Sequence, residues 1–187
     1  DNTMKVHQNN TENWKVTLVD TGESTNTGGR LKKIKEYIKD EEAFCFTYGD
    51  GLSNVNISDL IKFHKEHGKQ ATLTATLPPA RYGALKFGSK DIIESFKEKP
   101  EGDGSWINGG FFVLTPTVID LIKDDKTSWE IETLNVLAKN KQLYAFKHSG
   151  FWQPMDTLRE KNLLNELWEK GNACLLYTSD AADEEDS

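Results

Sequence analysis

Short apolar runs alternate along this chain with stretches whose apolar residues recur every three or four positions. The runs are rich in β-branched or aromatic residues and predict strands: Lys15 to Val19, Ala43 to Tyr48, Ala71 to Leu77 and Phe111 to Leu114. The helical spacing predicts helices over Arg30 to Lys39, Ile57 to His67, Trp129 to Ala138 and a stretch after Thr157. This alternation is typical of an α/β sandwich with a mostly parallel sheet.

Helix ends are marked by particular residues. Gly68 follows the periodic stretch that ends at His67 and predicts its C-terminal stop. Capping boxes, in which a threonine is followed three positions later by a glutamate, are predicted to start the last two helices. They are formed by Thr127 with Glu130 and by Thr157 with Glu160.

Composition narrows the class of protein. The 187 residues carry a net charge of -7 and are 36% hydrophobic, which is enough for one sizeable core. An acidic chain does not attract nucleic acid or anionic lipid broadly, so neither partner is expected. No apolar run is long enough to span a bilayer and no signal peptide is recognisable, so a cytoplasmic location is predicted. Cys45 is expected to be a small buried hydrophobe.

The carboxylate of Asp50 follows a predicted strand and lies between two glycines, Gly49 and Gly51. Ligands of open α/β sheets bind outside the carboxyl ends of the strands, and glycines there let the backbone approach a phosphate. Asp50 is therefore a candidate ligand-site residue. A simple Gly-Asp-Gly turn is the alternative interpretation.

The segment Thr21 to Arg30 combines glycines, hydroxyls and a guanidinium at the start of a predicted helix. Such a segment suits an anion, because helix N-termini offer unpaired N–H donors and arginine pairs with phosphate oxygens. Arg30 is the first candidate for a phosphate contact. The alternative is a surface turn with a solvated arginine.

Further polar groups follow other predicted elements. Glu98, Lys99 and Asn108 could bind sugar hydroxyls or a phosphate, although charged loops are more often only solvated. Asp156 precedes a predicted helix and is either its cap or, together with Asp50, a magnesium ligand. Mg²⁺ usually takes one or two protein carboxylates and keeps other positions for phosphate oxygens.

The ordered set of these motifs resembles the glucose-1-phosphate cytidylyltransferases, a family of sugar nucleotidyltransferases. The match runs in order from about Trp14 to Gly171. The motifs that carry it are the loop Thr21 to Arg30 with Leu31, Tyr48-Gly49-Asp50-Gly51, Glu98-Lys99-Pro100, Asn108-Gly109-Gly110-Phe111-Phe112-Val113 and Phe151-Trp152-Gln153-Pro154-Met155-Asp156-Thr157.

The resemblance implies a Rossmann-like nucleotidyltransferase sandwich with a mixed sheet, and the conversion of CTP and glucose 1-phosphate to CDP-glucose and pyrophosphate. By similarity, Asp50 and Asp156 bind Mg²⁺ and act in catalysis together with Arg30. Thr25, Arg30 and Gly49 match nucleotide-binding positions. Glu98, Lys99, Asn108 and Gly109 match positions on the sugar-phosphate side. A homo-oligomer is also expected.

One departure from the family concerns its amino-terminal Gly-rich segment, which has no counterpart in residues 1–20. We therefore expect residues 1–173 to form a truncated nucleotidyltransferase domain that is itself nearly inactive. The acidic stretch 174–187 is expected to be non-native or a disordered tail. A UTP- or dTTP-dependent enzyme and a non-catalytic nucleotide-sugar binding module remain alternatives. A glycosyltransferase with an Asp-x-Asp pair is disfavoured because position 52 is leucine.

Overall fold

The computed structural model of the chain describes residues 15–78, 84–87, 89, 92–97 and 106–173. Its helices are α1 (Thr27–Lys33), α2 (Lys35–Ile38), α3 (Ile57–His67), α4 (Leu134–Lys139) and α5 (Leu158–Glu169), with a 3-10 helix (Pro116–Leu121) and a π-helix (Trp129–Thr133). The strands are β1 (Phe44–Thr47), β2 (Gly51–Ser53), β3 (Ala71–Thr76), β4 (Ala84–Phe87), β5 (Ile93–Lys97), β6 (Ile107–Leu114), β7 (Leu143–His148) and β8 (Trp152–Pro154).

The main sheet has four strands in the order β1, β6, β3, β7. Strand β6 is antiparallel to both of its neighbours, whereas β3 and β7 are parallel. Three of the four strands therefore run in one direction, although only the pairing of β3 with β7 is parallel, and the prediction of an α/β fold with a mixed sheet is confirmed. Two short antiparallel pairs, β2 with β8 and β4 with β5, complete the described strands.

Helices cover both faces of the main sheet. One face, which we call the core face, carries the row Phe44, Leu114, Ala71 and Leu143 across the four strands. It packs against the helices around Leu31, Val118, Ile119, Trp129 and Leu137, all nearly inaccessible to solvent. Removing such apolar surface from water is the main stabilising contribution to the fold.

Helix α3 covers the opposite face. Its Phe63 and His67 rings contact Phe146 and Tyr144 of β7. Asn56 accepts a hydrogen bond from the Asp59 N–H at the N-terminus, and Gly68 ends the helix in the left-handed conformation, with φ of 61°. Only glycine adopts this conformation without a steric penalty, which confirms the predicted stop.

Three local predictions are wrong. Lys15 to Val19 form no strand, because a strand needs a hydrogen-bonding neighbour and none of the described strands pairs with this segment. Cys45 is exposed because it lies on β1, at the edge of the described sheet. Its side chain is on the face opposite the core face, where α3 does not cover it. Thr127 is not a cap; its hydroxyl bonds to Asp124.

Ser128 caps the π-helix instead, accepting a hydrogen bond from the Ile131 N–H. The π-helix has wider turns than an α-helix, and the carboxylate that returns to the Ser128 N–H belongs to Glu132 rather than Glu130. This frees Glu130 for other partners. The second predicted capping box, formed by Thr157 and Glu160, is confirmed.

Candidate active site

A cleft opens at the edge of the main sheet where β1, β3 and β7 end and β6 begins. Its volume is about 240 Å³, and it is lined by Thr47, Tyr48, Asp50, Gly51, Asn108, Gly109, Gly110, Trp152, Pro154 and Asp156. Four of the predicted site residues, Asp50, Asn108, Gly109 and Asp156, therefore lie together. They come from three segments that are distant in sequence, so the fold and not local chain geometry assembles them.

Asp50 and Asp156 are brought together by a two-stranded ribbon. Strand β2 follows β1, β8 follows β7, and the two pair with Gly51 opposite Pro154. The pairing continues one step further, because the Met155 N–H donates to the Asp50 carbonyl over 2.8 Å. The outer strands of the sheet are thus bridged across its edge, with one aspartate from each side in the cleft.

The backbone of Asp156 is fixed by the start of α5. Thr157 is the N-cap, so the alternative in which Asp156 itself caps the helix is wrong. The buried Glu160 carboxylate accepts hydrogen bonds from the Asp156 and Thr157 N–H groups, each over 3.0 Å. The Asp156 carboxylate therefore does not cap the helix, and it remains exposed at the cleft.

The donor set fits a magnesium ion. Both aspartates are exposed, and no N–H or O–H group of the described residues donates a hydrogen bond to either carboxylate. Within the same described ranges no group of three or more histidine, cysteine or acidic side chains converges as a metal cage. Two hard oxygen ligands that leave other positions to phosphate and water are the usual protein share of a Mg²⁺ site.

Asn108 and the glycines after it form the wall contributed by β6. The Asn108 Oδ1 accepts from the Gly110 N–H over 2.8 Å, which turns the side chain back onto its own strand. The Trp152 indole N–H donates to the Gly109 carbonyl over 2.8 Å and ties this wall to β8. At Gly109 a Cβ would lie 2.9 Å from the Thr74 carbonyl oxygen, so a side chain is excluded there.

Tyr48 forms the opposite wall and leads to a half-buried hydrogen-bond cluster that sequence reasoning missed. Its ring packs on Gly110, which has a φ of 79°. Its hydroxyl donates to Glu130 over 2.7 Å, and the same carboxylate accepts from Thr27 and Ser128 over 2.7 and 3.0 Å. Tyr48 and Glu130 are 82 positions apart, so no local pattern indicates the pair.

These contacts shift the pKa values of both Tyr48 and Glu130. Burial, reinforced by the hydrogen bond to Glu130, raises the pKa of Tyr48, while the nearby Asn108 amide opposes part of that rise. Burial also raises the pKa of Glu130, but the hydrogen bonds from Tyr48, Thr27 and Ser128 outweigh it and hold the pKa below its usual value. Glu130 is therefore ionised at neutral pH and Tyr48 keeps its proton.

Two predicted nucleotide contacts, Thr25 in the loop before α1 and Arg30 in α1 itself, do not line the cleft. The buried Thr25 hydroxyl donates to the Thr21 carbonyl. The exposed Arg30 guanidinium donates to the Thr21 hydroxyl over 2.6 Å and to the Glu23 carbonyl over 3.2 Å. In this arrangement both side chains hold the loop in shape.

The adjacent glycines, Gly28 and Gly29, pack against protein rather than open space. A Cβ on either would lie within 2.7 Å of the backbone of Thr127 or Asp125. They let α1 approach the segment before the π-helix closely. Gly49, the third predicted nucleotide contact, lies beside the cleft, and a Cβ added to it would meet no atom within 4 Å. Glu98 and Lys99 lie outside the described residues, as do residues 1–14 and 174–187.

Sequence and structure comparisons agree on the class of protein. Residues 2–163 match the Nucleotidyl transferase family, and the chain belongs to that family. It is 61% identical over 173 residues to the glucose-1-phosphate cytidylyltransferase of Salmonella typhimurium, covering 92% of this chain and 67% of that protein. A probable glucose-1-phosphate cytidylyltransferase of Bacillus subtilis is 42% identical over 161 residues, covering 86% and 62%.

The fold has solved counterparts. The crystal structure of HddC from Yersinia pseudotuberculosis superimposes with a TM-score of 0.57 at 21% identity, covering 78% of this chain and 64% of that one. The resemblance to glucose-1-phosphate cytidylyltransferases predicted from the motifs is confirmed by the Salmonella relative, and the chain spans about two thirds of that relative's length. No helix in the described ranges is long and apolar enough to cross a membrane.

Proposed function

We propose that the protein to which this chain belongs transfers a cytidylyl group from CTP to α-D-glucose 1-phosphate, giving CDP-glucose and pyrophosphate. The observation that carries the proposal is the meeting of Asp50 and Asp156 at one cleft, next to the Asn108 amide. The 61% identity to the Salmonella cytidylyltransferase supports the choice of substrates. The exposure of both carboxylates supports a metal-dependent reaction on phosphates.

The reaction needs no protein nucleophile. A phosphate oxygen of glucose 1-phosphate attacks the α-phosphorus of CTP, and the bond from that phosphorus to the bridging oxygen breaks to release pyrophosphate. Catalysis is then mostly the positioning of two anions and the stabilisation of developing charge. Asp50 and Asp156 would hold Mg²⁺, and the chemistry that Mg²⁺ supplies when bound is neutralisation of charge on phosphate oxygens.

The remaining roles follow from the position of each residue. Asn108 and the Gly109 backbone are suited to orient the sugar phosphate, because they form the β6 wall of the cleft. Gly49 leaves open space beside Asp50 for an approaching phosphate. For Arg30 and Thr25 to contact the nucleotide, the loop that they hold would have to exchange its internal hydrogen bonds for bonds to CTP. Glu98 and Lys99 are proposed as further contacts on the sugar side from the resemblance.

The test is an assay of pyrophosphate release with CTP, glucose 1-phosphate and Mg²⁺. Because the chain spans two thirds of the Salmonella relative, the assay uses both the chain and a fusion that supplies the remaining third from that relative. We expect turnover by the fusion, with a loss of at least about a hundredfold in Asp50→Asn and in Asp156→Asn. Asp59→Asn, an exposed carboxylate on α3, is the control and should retain full activity.

Substitution of the nucleotide separates the alternatives. Higher turnover with UTP or dTTP than with CTP would replace the cytidylyl assignment by another base. A fusion that binds CDP-glucose but releases no pyrophosphate with any of the three would favour a non-catalytic binding module. We also propose a cytoplasmic homo-oligomer; the unpaired edge of β1 in the described sheet supports association, because exposed strand edges pair readily.

A further inference from the structure

Trp106 stands out among the described aromatic residues because it is 41% exposed and a lysine ammonium group lies over its ring. The ammonium nitrogen of Lys147 lies 5.4 Å from the centre of the ring. A cation in this position is attracted by the ring electrons, so each side chain restricts the other. The pair therefore presents an exposed aromatic ring beside a hydrogen-bond donor.

The strand register places this pair on the same side of the sheet as the candidate active site. Asn108 of β6 pairs with Ala75 of β3, and Ala75 pairs with Lys147 of β7. Residues paired in this way point to the same face, so Asn108 and Lys147 both lie on the core face at the edge where the cleft opens. Neighbouring strands are about 4.8 Å apart, which puts Lys147 about 10 Å from Asn108 across the sheet.

The order of groups along this edge is Asp50, Asn108, then Lys147 with Trp106. If the reacting phosphate lies at Asp50 and Asp156, a sugar joined to it extends past Asn108 toward the pair. A pyranose ring has an apolar C–H face that packs on an indole, and hydroxyls that accept hydrogen bonds from an ammonium group. The pair offers both groups at the end of this row, beyond the residues that line the cleft.

We propose that Trp106 and Lys147 form the distal end of the sugar subsite, with Trp106 packing on the hexose ring and Lys147 donating to its hydroxyls. This inference rests on the proposed function, because that function places the phosphate at the two aspartates. It predicts that the pair contributes to sugar affinity and not to phosphate affinity. Both side chains would act as specificity determinants that contact the substrate.

The experiment measures equilibrium binding of glucose 1-phosphate and of inorganic phosphate to the chain by calorimetry, with Mg²⁺ present. We expect Trp106→Ala to weaken glucose 1-phosphate binding about three- to tenfold, the range typical of one aromatic contact, and to leave phosphate binding unchanged. Trp106→Phe should retain part of the affinity, and Lys147→Met should lose about two- to fivefold.

A second exposed tryptophan provides the matched control. Trp168 is 65% exposed near the C-terminal end of α5, about 15 Å along that helix from its first residue, Leu158. Trp168→Ala should bind both ligands like the parent chain. Thermal unfolding of every variant shows whether any loss of binding reflects unfolded protein.

Each outcome decides between the two proposals. If Asp50→Asn abolishes binding of glucose 1-phosphate while Trp106→Ala binds it like the parent, the sugar subsite is refuted and the proposed function stands. If Trp106→Ala loses both ligands equally, the residue is not sugar-specific and the inference fails. If neither the folded parent chain nor the fusion with the remaining third of the Salmonella relative binds either ligand, the proposed site fails and the inference fails with it.

Discussion

The hydrogen bonds that converge on Glu130 should make it one of the most sensitive polar positions in the protein. Its carboxylate accepts from the hydroxyls of Tyr48, Thr27 and Ser128, which belong to the cleft wall, α1 and the cap of the π-helix. The perturbation is Glu130→Ala, compared with Tyr48→Phe, which removes one hydroxyl and keeps the aromatic ring on Gly110.

The magnitude follows from the number and kind of bonds. Hydrogen bonds to a charged group contribute about 1.5–3 kcal/mol each when buried, and less when solvent reaches the carboxylate, as it does here. With three bonds lost and the hydroxyls partly rehydrated, Glu130→Ala should lower the free energy of unfolding by about 2–4 kcal/mol. Tyr48→Phe loses one bond and should cost about 1–2 kcal/mol.

The assay is urea unfolding followed by tryptophan fluorescence, with the two variants and the double variant in one cycle. Because both substitutions break the same bond, their effects should not add, and a coupling of about 1 kcal/mol or more is expected. Glu130→Gln, which keeps one acceptor oxygen, should lie between the parent and Glu130→Ala. Losses below about 0.5 kcal/mol in both single variants, or full additivity, would refute the role assigned to this cluster.

Three further predictions concern other parts of the fold. Gly110→Ala should destabilise the chain by about 2 kcal/mol or more, since φ is 79° and its Cβ would lie 2.9 Å from an aromatic carbon, whereas Gly49→Ala should cost little. Thr157→Ala should cost about 1 kcal/mol by removing the cap of α5. Burial lowers the pKa of both His64 and His67 below 6.5, so stability should fall as pH drops below about 6.5.

The pH effect has a definite sign and limit. The unfolded chain binds protons on these histidines near pH 6.5 while the folded chain resists them, so stability is fully present above that pH and is lost toward the lower folded pKa. The free energy of unfolding cannot change by more than about 1.4 kcal/mol per pH unit for each histidine. A parent chain equally stable at about pH 7.5 and 5.5, or an unchanged slope after substitution of both histidines by glutamine, would contradict the prediction.

Chemical denaturation also tests the predictions for the two glycine variants and for the Thr157 cap. A Thr157→Ala variant as stable as the parent would show that the capping hydroxyl of Thr157 contributes nothing to stability. Equal stability of the two glycine variants would show that the left-handed backbone at Gly110 carries no strain. In each pair the second member is the control, since Gly49 has free space around it and Thr157→Ser retains the capping hydroxyl.

Elements whose ends are set by neighbouring residues could be predicted from the sequence. Helix α3 begins after Asn56 and ends at Gly68, and the box of Thr157 and Glu160 starts α5, because these caps depend only on local hydrogen bonds and backbone conformation. Asp50 was also predictable as a cleft residue, because it follows a strand of the main sheet, whereas Asp156 reaches the cleft through the pairing of β2 with β8. Their roles remain predictions.

Features that depend on distant partners could not be predicted in this way. The exposure of Cys45 depends on β1 lying at the edge of the described sheet, and the cap at Ser128 depends on a π-helical turn. Gly28 looked like part of an anion loop, but its freedom from a side chain serves contact with the backbone of Thr127. The local sequence is the same in both interpretations, and only the fold distinguishes them.

The reversed direction of β6 has a consequence for how such a site can diversify. In an all-parallel sheet every strand would deliver its carboxyl end to the cleft, and the chain would enter each strand on the far side. Here β6 enters at the cleft and leaves at the opposite edge, through Thr115. Substitutions at the first residues of β6 therefore change the cleft directly, whereas substitutions just after β6 lie at the opposite edge of the sheet, away from the cleft.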